Sequence, residues 1–570
     1  MKMVKANEVH IEVASLEDIK EIFTGYKSIK NIYLYQKHGY DEFKTVLRWF
    51  ACNDIFGEKC KLEMKKSSFS SWKLLLILSS ISILVMYVET MLLPAIPDII
   101  REFNISYSMS SWIFASFVIS ALISTTIVSK LSDLYGRKLI LLTVLVIYTV
   151  GILGGSLAND IFWLIFFRII QGIGMSVFPL VFAIIQIEFP KDKIAISQGT
   201  LASMFAFGGV LGLMIGGNIT HNFGWHMTFL SILPFTIIVT IVIKYFVKIK
   251  DKSPVVKEAN KWELSNAITN LNSNHRYTKS HKVVSNFDIK GTITLAVTII
   301  SFISALTLVQ SENNESVKSG ISISTLLFAL SGVSLFIFIL LERKVSVPLI
   351  NLQLIKIKPI FLTNIIILIW GIATFTIFQT IPVLVRTPQP IGFGGSALDV
   401  VYLTLPFSIM SLIFGPTSGF IISKIGSFRV IIAGSIIATI GFGSILLLYN
   451  NLVWTAISLA IIGSGLSLLN VGQININTAS TPIKFIGISF GVNTLFRFIG
   501  SAIGPALAGM LMQINQTSLK VDVATNMTNF PSSNSFMQIF LCMTLLCIIS
   551  VVLSIMLKKD ESKERTYQRG

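Results

Sequence analysis

The sequence predicts an all-α protein that crosses a membrane many times. Of its 570 residues, 53% are hydrophobic and only 13% are charged, whereas soluble domains carry about 25% charged residues. Apolar runs of about 20 residues, the length that a helix needs to cross a bilayer, recur along most of the chain. The mean hydropathy of +0.74 agrees with this pattern. A soluble globular fold is therefore excluded.

The net charge of +17 could suggest nucleic-acid binding, but the placement of the basic residues instead indicates how the chain is oriented in the membrane. The basic residues lie in the polar connections between apolar runs, and alternate connections carry most of them. Because Lys and Arg favour the cytoplasmic side of a membrane, we expect both termini to be cytoplasmic. The four cysteines form no C-x-x-C pair, which argues against a zinc site and against a disulfide framework.

We predict fourteen membrane-spanning helices between residues 74 and 557. The predicted domains are a cytoplasmic N-terminal extension of unknown fold at 1–70, a six-helix half at 71–247, a cytoplasmic loop at 248–290, two inserted helices at 291–341, a second six-helix half at 342–557 and a cytoplasmic tail at 558–570. For the extension three interpretations stay open: a small module, a loosely folded tail, or a segment left untranslated because translation starts at Met64.

An internal repeat supports the division into two halves. The basic turn S-K-L-S-D-L-Y-G-R-K at 129–138 can be aligned with G-F-I-I-S-K-I-G-S-F at 419–428, so that Gly136 corresponds to Gly426. Two small-residue runs repeat at nearly the same separation. These runs comprise Gly208, Gly212, Gly216 and Gly217 in the fifth span and Gly500, Gly504, Pro505 and Gly509 in the thirteenth. Such runs form helix-packing faces, and a surface that slides or bends during transport is the alternative.

A single acidic residue, Glu89, lies deep in the first predicted span. An ionised acid there costs several kcal/mol unless it faces a partner or water. We therefore expect Glu89 to bind protons or substrate; the alternative is a structural acid that is satisfied by hydrogen bonds between helices.

Arg168 and Gln171 lie one turn apart in the fourth span, and Asn493 and Arg497 lie one turn apart in the thirteenth. A buried guanidinium needs an acid, water or backbone carbonyls around it, and Glu89 is the acid at a compatible depth. A role in proton coupling and a purely architectural ion pair both remain open for Arg168. Asn493 and Arg497 either line the central cavity or pack within their own half.

On these residues the chain resembles the fourteen-span drug:proton antiporters of the major facilitator superfamily, over about residues 74–557. The family's loop motif G-x-L-a-D-r-x-G-r-k is matched at Leu131, Asp133, Gly136, Arg137 and Lys138, with Ser129 at its leading glycine. The fourth-span motif R-x-x-q-G-x-g is matched at Arg168, Gln171, Gly172 and Gly174. The fifth-span motif g-x-x-x-G-P-x-x-G-G is matched at Gly208, Gly212, Gly216 and Gly217, with Leu213 at its proline.

The resemblance implies two bundles of the major facilitator type and a role for each motif. Asp133, Gly136, Arg137 and Lys138 would belong to a cytoplasmic gate, Arg168 would take part in proton coupling, and Glu89 would bind protons and cationic drugs. Glu89 stands where the family usually has the aspartate of an Asp-x-Thr motif.

The sequence thus predicts a monomeric transporter in the plasma membrane. It would export a lipophilic, drug-like compound, cationic compounds included, in exchange for protons, with the proton gradient as energy source and no cofactor or metal. Its partners would be the small-molecule substrate, protons and the lipid bilayer, but no nucleic acid. One alternative is a proton-coupled symporter or uniporter for a small metabolite, and another is a membrane sensor whose soluble module is residues 1–70. An enzyme is not expected, because the chain contains no H-E-x-x-H motif and no convincing pair of acids within a span.

Overall fold

The computed structural model describes residues 2–6, 9–13, 57–189, 194–247, 289–308, 322–345, 352–481, 486–520 and 527–567. The chain forms two compact units, Met1–Lys73 and Leu74–Gly570. In the first unit, strands β1 (Lys2–Ala6) and β2 (Val9–Val13) form an antiparallel hairpin with Lys2 opposite Val13. Most of the predicted extension at 1–70 and nearly all of the predicted loop at 248–290 lie outside the described residues.

The described residues before the loop form nine helices, and two of the predicted spans are interrupted. The helices are α1 (Gly57–Thr90), α2 (Ile96–Glu102), α3 (Tyr107–Ser110), α4 (Trp112–Tyr135), α5 (Arg137–Ser156), α6 (Ile161–Ile173), α7 (Val177–Glu188), α8 (Ile194–Phe223) and α9 (His226–Phe246). Single 3₁₀ turns, Leu93–Ala95 and Gly174–Ser176, connect α1 to α2 and α6 to α7.

Nine further helices and a short hairpin follow the loop. They are α10 (Ile289–Leu308), α11 (Ile323–Lys344), α12 (Leu352–Ile355), α13 (Lys358–Arg386), α14 (Ala397–Ile425), α15 (Ser427–Leu448), α16 (Leu452–Ala479), α17 (Ile486–Ile514), β3 (Gln516–Lys520), β4 (Met527–Pro531) and α18 (Ser533–Tyr567). Helix α18 continues through most of the tail predicted at 558–570. Lys and Glu are good helix formers, so the polar end of α18 sustains the helix.

The predicted fold class is confirmed, although the count of fourteen spans is not. Thirteen helical segments of the described chain are long and apolar enough to cross a membrane. The remaining predicted span corresponds to α8, whose 30 residues are sufficient in length but which is not one of the thirteen. Two large clusters of buried apolar side chains fill the bundle. One includes Leu84 and Ile184 in the first half, and the other includes Phe442 and Phe540 in the second.

The first span breaks in the middle because prolines interrupt its hydrogen bonding. Helix α1 ends at Thr90, and Pro94 and Pro97 follow at the starts of the 3₁₀ turn and of α2. Proline lacks the N–H that an uninterrupted helix would use. The sequence predicted one span here, which Pro94 could kink, but it did not predict that Glu89 lies beside a helix break.

The two turns aligned in the repeat have the same backbone geometry. Gly136, between α4 and α5, has φ +95° and ψ 140°, and Gly426, between α14 and α15, has φ +84° and ψ 153°. Side chains other than glycine rarely adopt such angles. Each glycine therefore permits a tight reversal between consecutive spans, at equivalent places in the two halves.

The inserted pair, α10 and α11, lies over one seam between the halves. Helix α10 packs against α3 and α4 from the first half and against α17 from the second, and the Trp112 indole donates to Thr307 Oγ1 at 3.1 Å. Helix α11 is held to α10 by serines, because Ser331 and Ser334 donate to the carbonyls of Thr298 and Thr294 at 3.0 and 2.8 Å.

Candidate functional site

Glu89 is the penultimate residue of α1, next to the break in the first span. Its side chain is only 4% exposed, and it forms no hydrogen bond or ion pair with any described residue. The oxygen Oε2 is completely buried without a partner. The neighbouring Thr90 hydroxyl is satisfied instead, since it lies 2.9 Å from the Gly209 carbonyl of α8 and 3.0 Å from that of Met86. The structure thus holds a carboxyl group in an apolar interior without a fixed partner.

The glycine run of α8 brings that helix directly against the backbone of α1. A Cβ atom built on Gly208, Gly212 or Gly216 would lie 2.4 Å from the carbonyl oxygen of Ile83, Tyr87 or Met91, respectively. These positions repeat every four residues on both helices, as two helices in close contact require. Gly217 faces the other way, toward Val401 of α14. The glycine run therefore allows α8 to pack in close contact with the turn of α1 that carries Glu89.

The equivalent run in α17 packs in the corresponding way against α13. A Cβ atom on Gly500 or Gly504 would lie 2.2 or 2.5 Å from the carbonyl oxygen of Leu368 or Ile372. A Cβ atom on Gly509 would instead lie 2.7 Å from the carbonyl oxygen of Tyr107, in the first half. Pro505 lies inside the helix within this run.

Arg168 of α6 is fully buried and is held mainly by backbone oxygens. Its Nε donates to the Ile113 carbonyl at 3.0 Å, and its Nη1 lies 3.4 Å from the Val88 carbonyl and 3.1 Å from Gln171 Oε1. The guanidinium also lies over the Phe117 ring, 4.3 Å from its centroid. The ion pair expected between Arg168 and Glu89 is absent. Carbonyl groups replace it because the break in α1 and the start of α4 both present oxygens to the arginine.

Gln171 positions this arginine. Its Oε1 accepts from Arg168, and its Nε2 donates to the Gly151 carbonyl of α5 at 2.8 Å. Gly151 permits this approach, since a Cβ atom there would lie 2.9 Å from the Gln171 backbone nitrogen. Gln171 therefore connects Arg168 to α5.

Arg497 of α17 differs from Arg168 in its surroundings. It is partly exposed, lies over its neighbour Phe498 at 4.9 Å from the ring centroid, and makes no side-chain hydrogen bond or ion pair with a described residue. The charges that act most strongly on Glu89 are those of Arg497 and then Arg168. Glu89 thus lies in the field of one arginine from each half.

Asn493 does not share this environment, although it lies one turn from Arg497. Its amide nitrogen donates to Asn364 Oδ1 and to Gln473 Oε1, both at 3.0 Å. All three side chains are buried, and they join α13, α16 and α17 within the second half. These hydrogen bonds hold the Asn493 side chain within the second half. Asn364 and Gln473 were missed, because single amides in long apolar spans carry no recognisable spacing.

The predicted gate residues lie around the turn between α4 and α5. Asp133 is in the last turn of α4, with its side chain outside the described set, and Arg137 begins α5. The Lys138 ammonium donates to the Lys244 carbonyl at the end of α9, at 2.9 Å. This contact lies within the first half.

The opposite end of the bundle, here called the predicted outer end, carries contacts between the halves that the sequence did not reveal. Asp98 of α2 forms an ion pair with Arg386 at the end of α13. The Arg101 guanidinium donates to the Arg386 carbonyl at 3.4 Å, and Gln379 donates to the Ser110 hydroxyl at 2.8 Å. We call the Asp98–Arg386 pair the outer latch. The sequence shows only that Asp98 and Arg386 lie at the predicted outer ends of two spans, and nothing in it indicates that they pair.

The described residues contain no group of three or more His, Cys, Asp or Glu side chains arranged to hold a metal ion. A buried carboxyl group on which two arginine charges act can take up and release a proton.

Comparisons with known proteins agree with this architecture. A family model described as Major Facilitator Superfamily matches residues 78–505 and 393–570. Multidrug resistance protein 3 of Bacillus subtilis (strain 168) is 28% identical over 454 residues, which cover 77% of this chain and 78% of that protein. Multidrug transporter protein MdtP of the same organism is 26% identical over 433 residues, which cover 75% and 73%. The solved structure of the nucleoside transporter NupG is similar in fold, with a TM-score of 0.54 at 11% identity over 85% of this chain and 99% of that one.

Proposed function

Because this chain belongs to the Major Facilitator Superfamily, we propose that it exports a lipophilic, drug-like small molecule in exchange for protons. The chain is a multi-pass membrane transporter and not an enzyme, and its relatives include proteins named for multidrug resistance and multidrug transport. The observation that carries the finer proposal is Glu89, a buried carboxyl group without a partner among the described residues, on which the charges of an arginine from each half act.

The charge state of Glu89 provides a means of coupling. When ionised, Glu89 attracts Arg168 of its own half and Arg497 of the other half, and protonation removes both attractions. Unit charges about 8 Å apart interact by about 2 kcal/mol at an effective dielectric constant of 20. That energy changes a conformational equilibrium about thirtyfold. Proton binding at this one residue would thus alter how firmly the halves attract each other.

In the proposed cycle, substrate and proton exclude each other at Glu89. Substrate binds from the cytoplasm when Glu89 has lost its proton, the halves rock, and a proton from outside then displaces the substrate. Each proton that re-enters contributes about 2.3 kcal/mol per 100 mV of membrane potential. The proton gradient is the only energy source that the proposal requires, and a monomer in the plasma membrane with cytoplasmic termini suffices.

The test is transport in proteoliposomes with an imposed pH gradient, with lipophilic dyes and drugs of each charge class as substrates. We expect gradient-driven efflux in the parent protein and its loss, at least tenfold, in Glu89→Gln. The matched control is Glu102→Gln, which makes the same change at a carboxylate that accepts from the Trp225 indole at 2.6 Å. The amide retains an acceptor oxygen there, so transport should be preserved.

Two outcomes would oppose the proposal. Efflux that is unchanged in Glu89→Gln, with the protein inserted at the parent level, would remove the role assigned to Glu89. Accumulation of substrate on the same side as the protons would instead indicate symport, the alternative function of the same fold.

A further inference from the structure

A buried tyrosine, Tyr148 of α5, lies at the centre of the bundle without an assigned role. It is among the largest side chains with no exposed surface, and its hydroxyl has no hydrogen-bond partner. A buried hydroxyl without a partner costs about 1–3 kcal/mol. Such a cost calls for an explanation beyond packing.

The crossing of α5 and α6 places this hydroxyl near Arg168. Gly151 packs against Gln171. Gly174, the first residue of the 3₁₀ turn after α6, packs against the ring of Tyr148, three residues before Gly151 in α5; a Cβ atom on Gly174 would lie 2.1 Å from Cδ2 of that ring. Because Gln171 also accepts from Arg168, the guanidinium is held at the same level of the bundle. Tyr148 and Arg168 are accordingly electrostatic neighbours, and Glu89 is a neighbour of both.

Three fully or almost fully buried side chains here each have one polar atom without a partner. The atoms are Glu89 Oε2, Arg168 Nη2 and the Tyr148 hydroxyl oxygen. They come from α1, α6 and α5, which hydrogen bonds connect at this point: Arg168 lies against the Val88 carbonyl of α1, and Gln171 joins Arg168 to the Gly151 carbonyl of α5. An acceptor, a donor and a group that can do both are thus assembled in one apolar region.

The chemistry of the three groups differs in one respect. A guanidinium only donates and an ionised carboxylate only accepts, whereas a phenol hydroxyl can donate or accept. The hydroxyl can therefore donate to Glu89 when the carboxyl group is ionised, and accept from Arg168 when it is protonated. No covalent bond changes in this exchange; one hydrogen bond is replaced by another.

We propose that Tyr148 is a positioning residue for proton exchange at Glu89, with its hydroxyl as the switching hydrogen-bond partner of the Glu89 carboxylate and the Arg168 guanidinium. The proposal rests on the proposed function, since it assumes that Glu89 gains and loses a proton. The ionisable groups that act on Glu89 from other helices are Arg168, Tyr148 and Arg497, and the proposal assigns the switching role to Tyr148 alone.

Two tyrosine variants form a matched pair for the test. Tyr148→Phe removes only the hydroxyl and keeps the ring against Gly174. Tyr87→Phe makes the same change two residues before Glu89, at a hydroxyl that lies 3.4 Å from the Ser231 hydroxyl. Proton binding is followed without any substrate, from the carboxyl band of Glu89 in infrared difference spectra of the full-length protein at varied pH. The variant Glu89→Gln identifies the band.

We expect the titration midpoint of this band to move to higher pH by about one unit in Tyr148→Phe, because the ionised carboxylate loses a donor. Gradient-driven efflux should fall about tenfold, and Tyr87→Phe should match the parent in both measurements. A midpoint in Tyr148→Phe equal to that of the parent overturns the proposal, as does a parent protein whose Glu89 band does not titrate. A shifted midpoint in a protein without gradient-driven efflux would refute the proposed function alone.

Discussion

Gly212→Ala should disrupt the contact between α8 and α1 beside Glu89. The added methyl group would lie 2.3 Å from Thr90 Oγ1, 2.4 Å from the Tyr87 carbonyl oxygen and 2.8 Å from the Tyr87 Cα. Two of these atoms belong to the backbone, so rotation of a side chain does not relieve the clash. The helices must separate, which also weakens the 2.9 Å hydrogen bond between Thr90 and the Gly209 carbonyl.

The size of the effect follows from three contributions. Overpacking costs about 1–3 kcal/mol, and the lost hydrogen bond costs about 1 kcal/mol. Alanine is a better helix former than glycine by about 1 kcal/mol, which offsets part of this cost. We therefore expect Gly212→Ala to lower the free energy of unfolding by about 1–3 kcal/mol.

The neighbouring Gly209→Ala is the matched control. Its methyl group would meet only Met86 Cε at 3.5 Å and Thr90 Cγ2 at 3.8 Å, both ordinary contacts. This variant should be neutral or about 1 kcal/mol more stable. The free energy of unfolding is measured by titration with a denaturing detergent in mixed micelles, with helix content as the signal, and efflux is measured in parallel. If both variants unfolded at the same denaturant level, the close-contact argument for the glycine run would be wrong.

Two further predictions concern the ends of the bundle. Asp98→Asn breaks the outer latch, and a partly exposed ion pair of this kind contributes about 0.2–1 kcal/mol. Opening of the outer end is measured by the rate at which a thiol reagent labels a cysteine placed at the buried Ser108 of a cysteine-free background. Labelling should be up to about fivefold faster in Asp98→Asn. The exchanged pair Asp98→Arg with Arg386→Asp should slow labelling again, and parent-like labelling in Asp98→Asn would show that the latch does not hold this end closed. Gly136→Ala places a side chain at φ +95° and should cost about 1–2 kcal/mol in the same unfolding titration. Its control is Gly419→Ala, where a Cβ atom meets nothing within 4 Å, and equal stability of these two variants would contradict the strain at Gly136.

The parts of the fold that local sequence determines were predictable. Apolar length identified the spans, and the alignment of Gly136 with Gly426 identified two turns that share a backbone conformation. The glycine runs were identified as packing faces, and the structure places each one against the backbone of a neighbouring helix. In each case the information lies within a few residues of chain.

The contacts of the site were less predictable, because several of them involve backbone carbonyl groups, which no sequence pattern marks. Arg168 was expected to pair with Glu89, but its guanidinium donates to the backbone carbonyls of Ile113 and Val88 instead. Every residue has a carbonyl group, so no sequence pattern marks these two. Tyr148 was missed for a related reason, since a tyrosine in an apolar span resembles any residue that faces lipid or a neighbouring helix.

The position of α10 makes the two sides of the transporter unequal. Two halves that rock against each other need freedom at both seams, yet α10 contacts α4 and α17 across one of them. Its partner α11 is bound to it through Ser331 and Ser334, so the pair must be displaced as a unit or must slide along one half. Among the described residues, no helix braces the seam between α8 and α14, where Gly217 faces Val401. We therefore expect the two halves to rotate about the α10 side in each transport step, so that they separate most between α8 and α14.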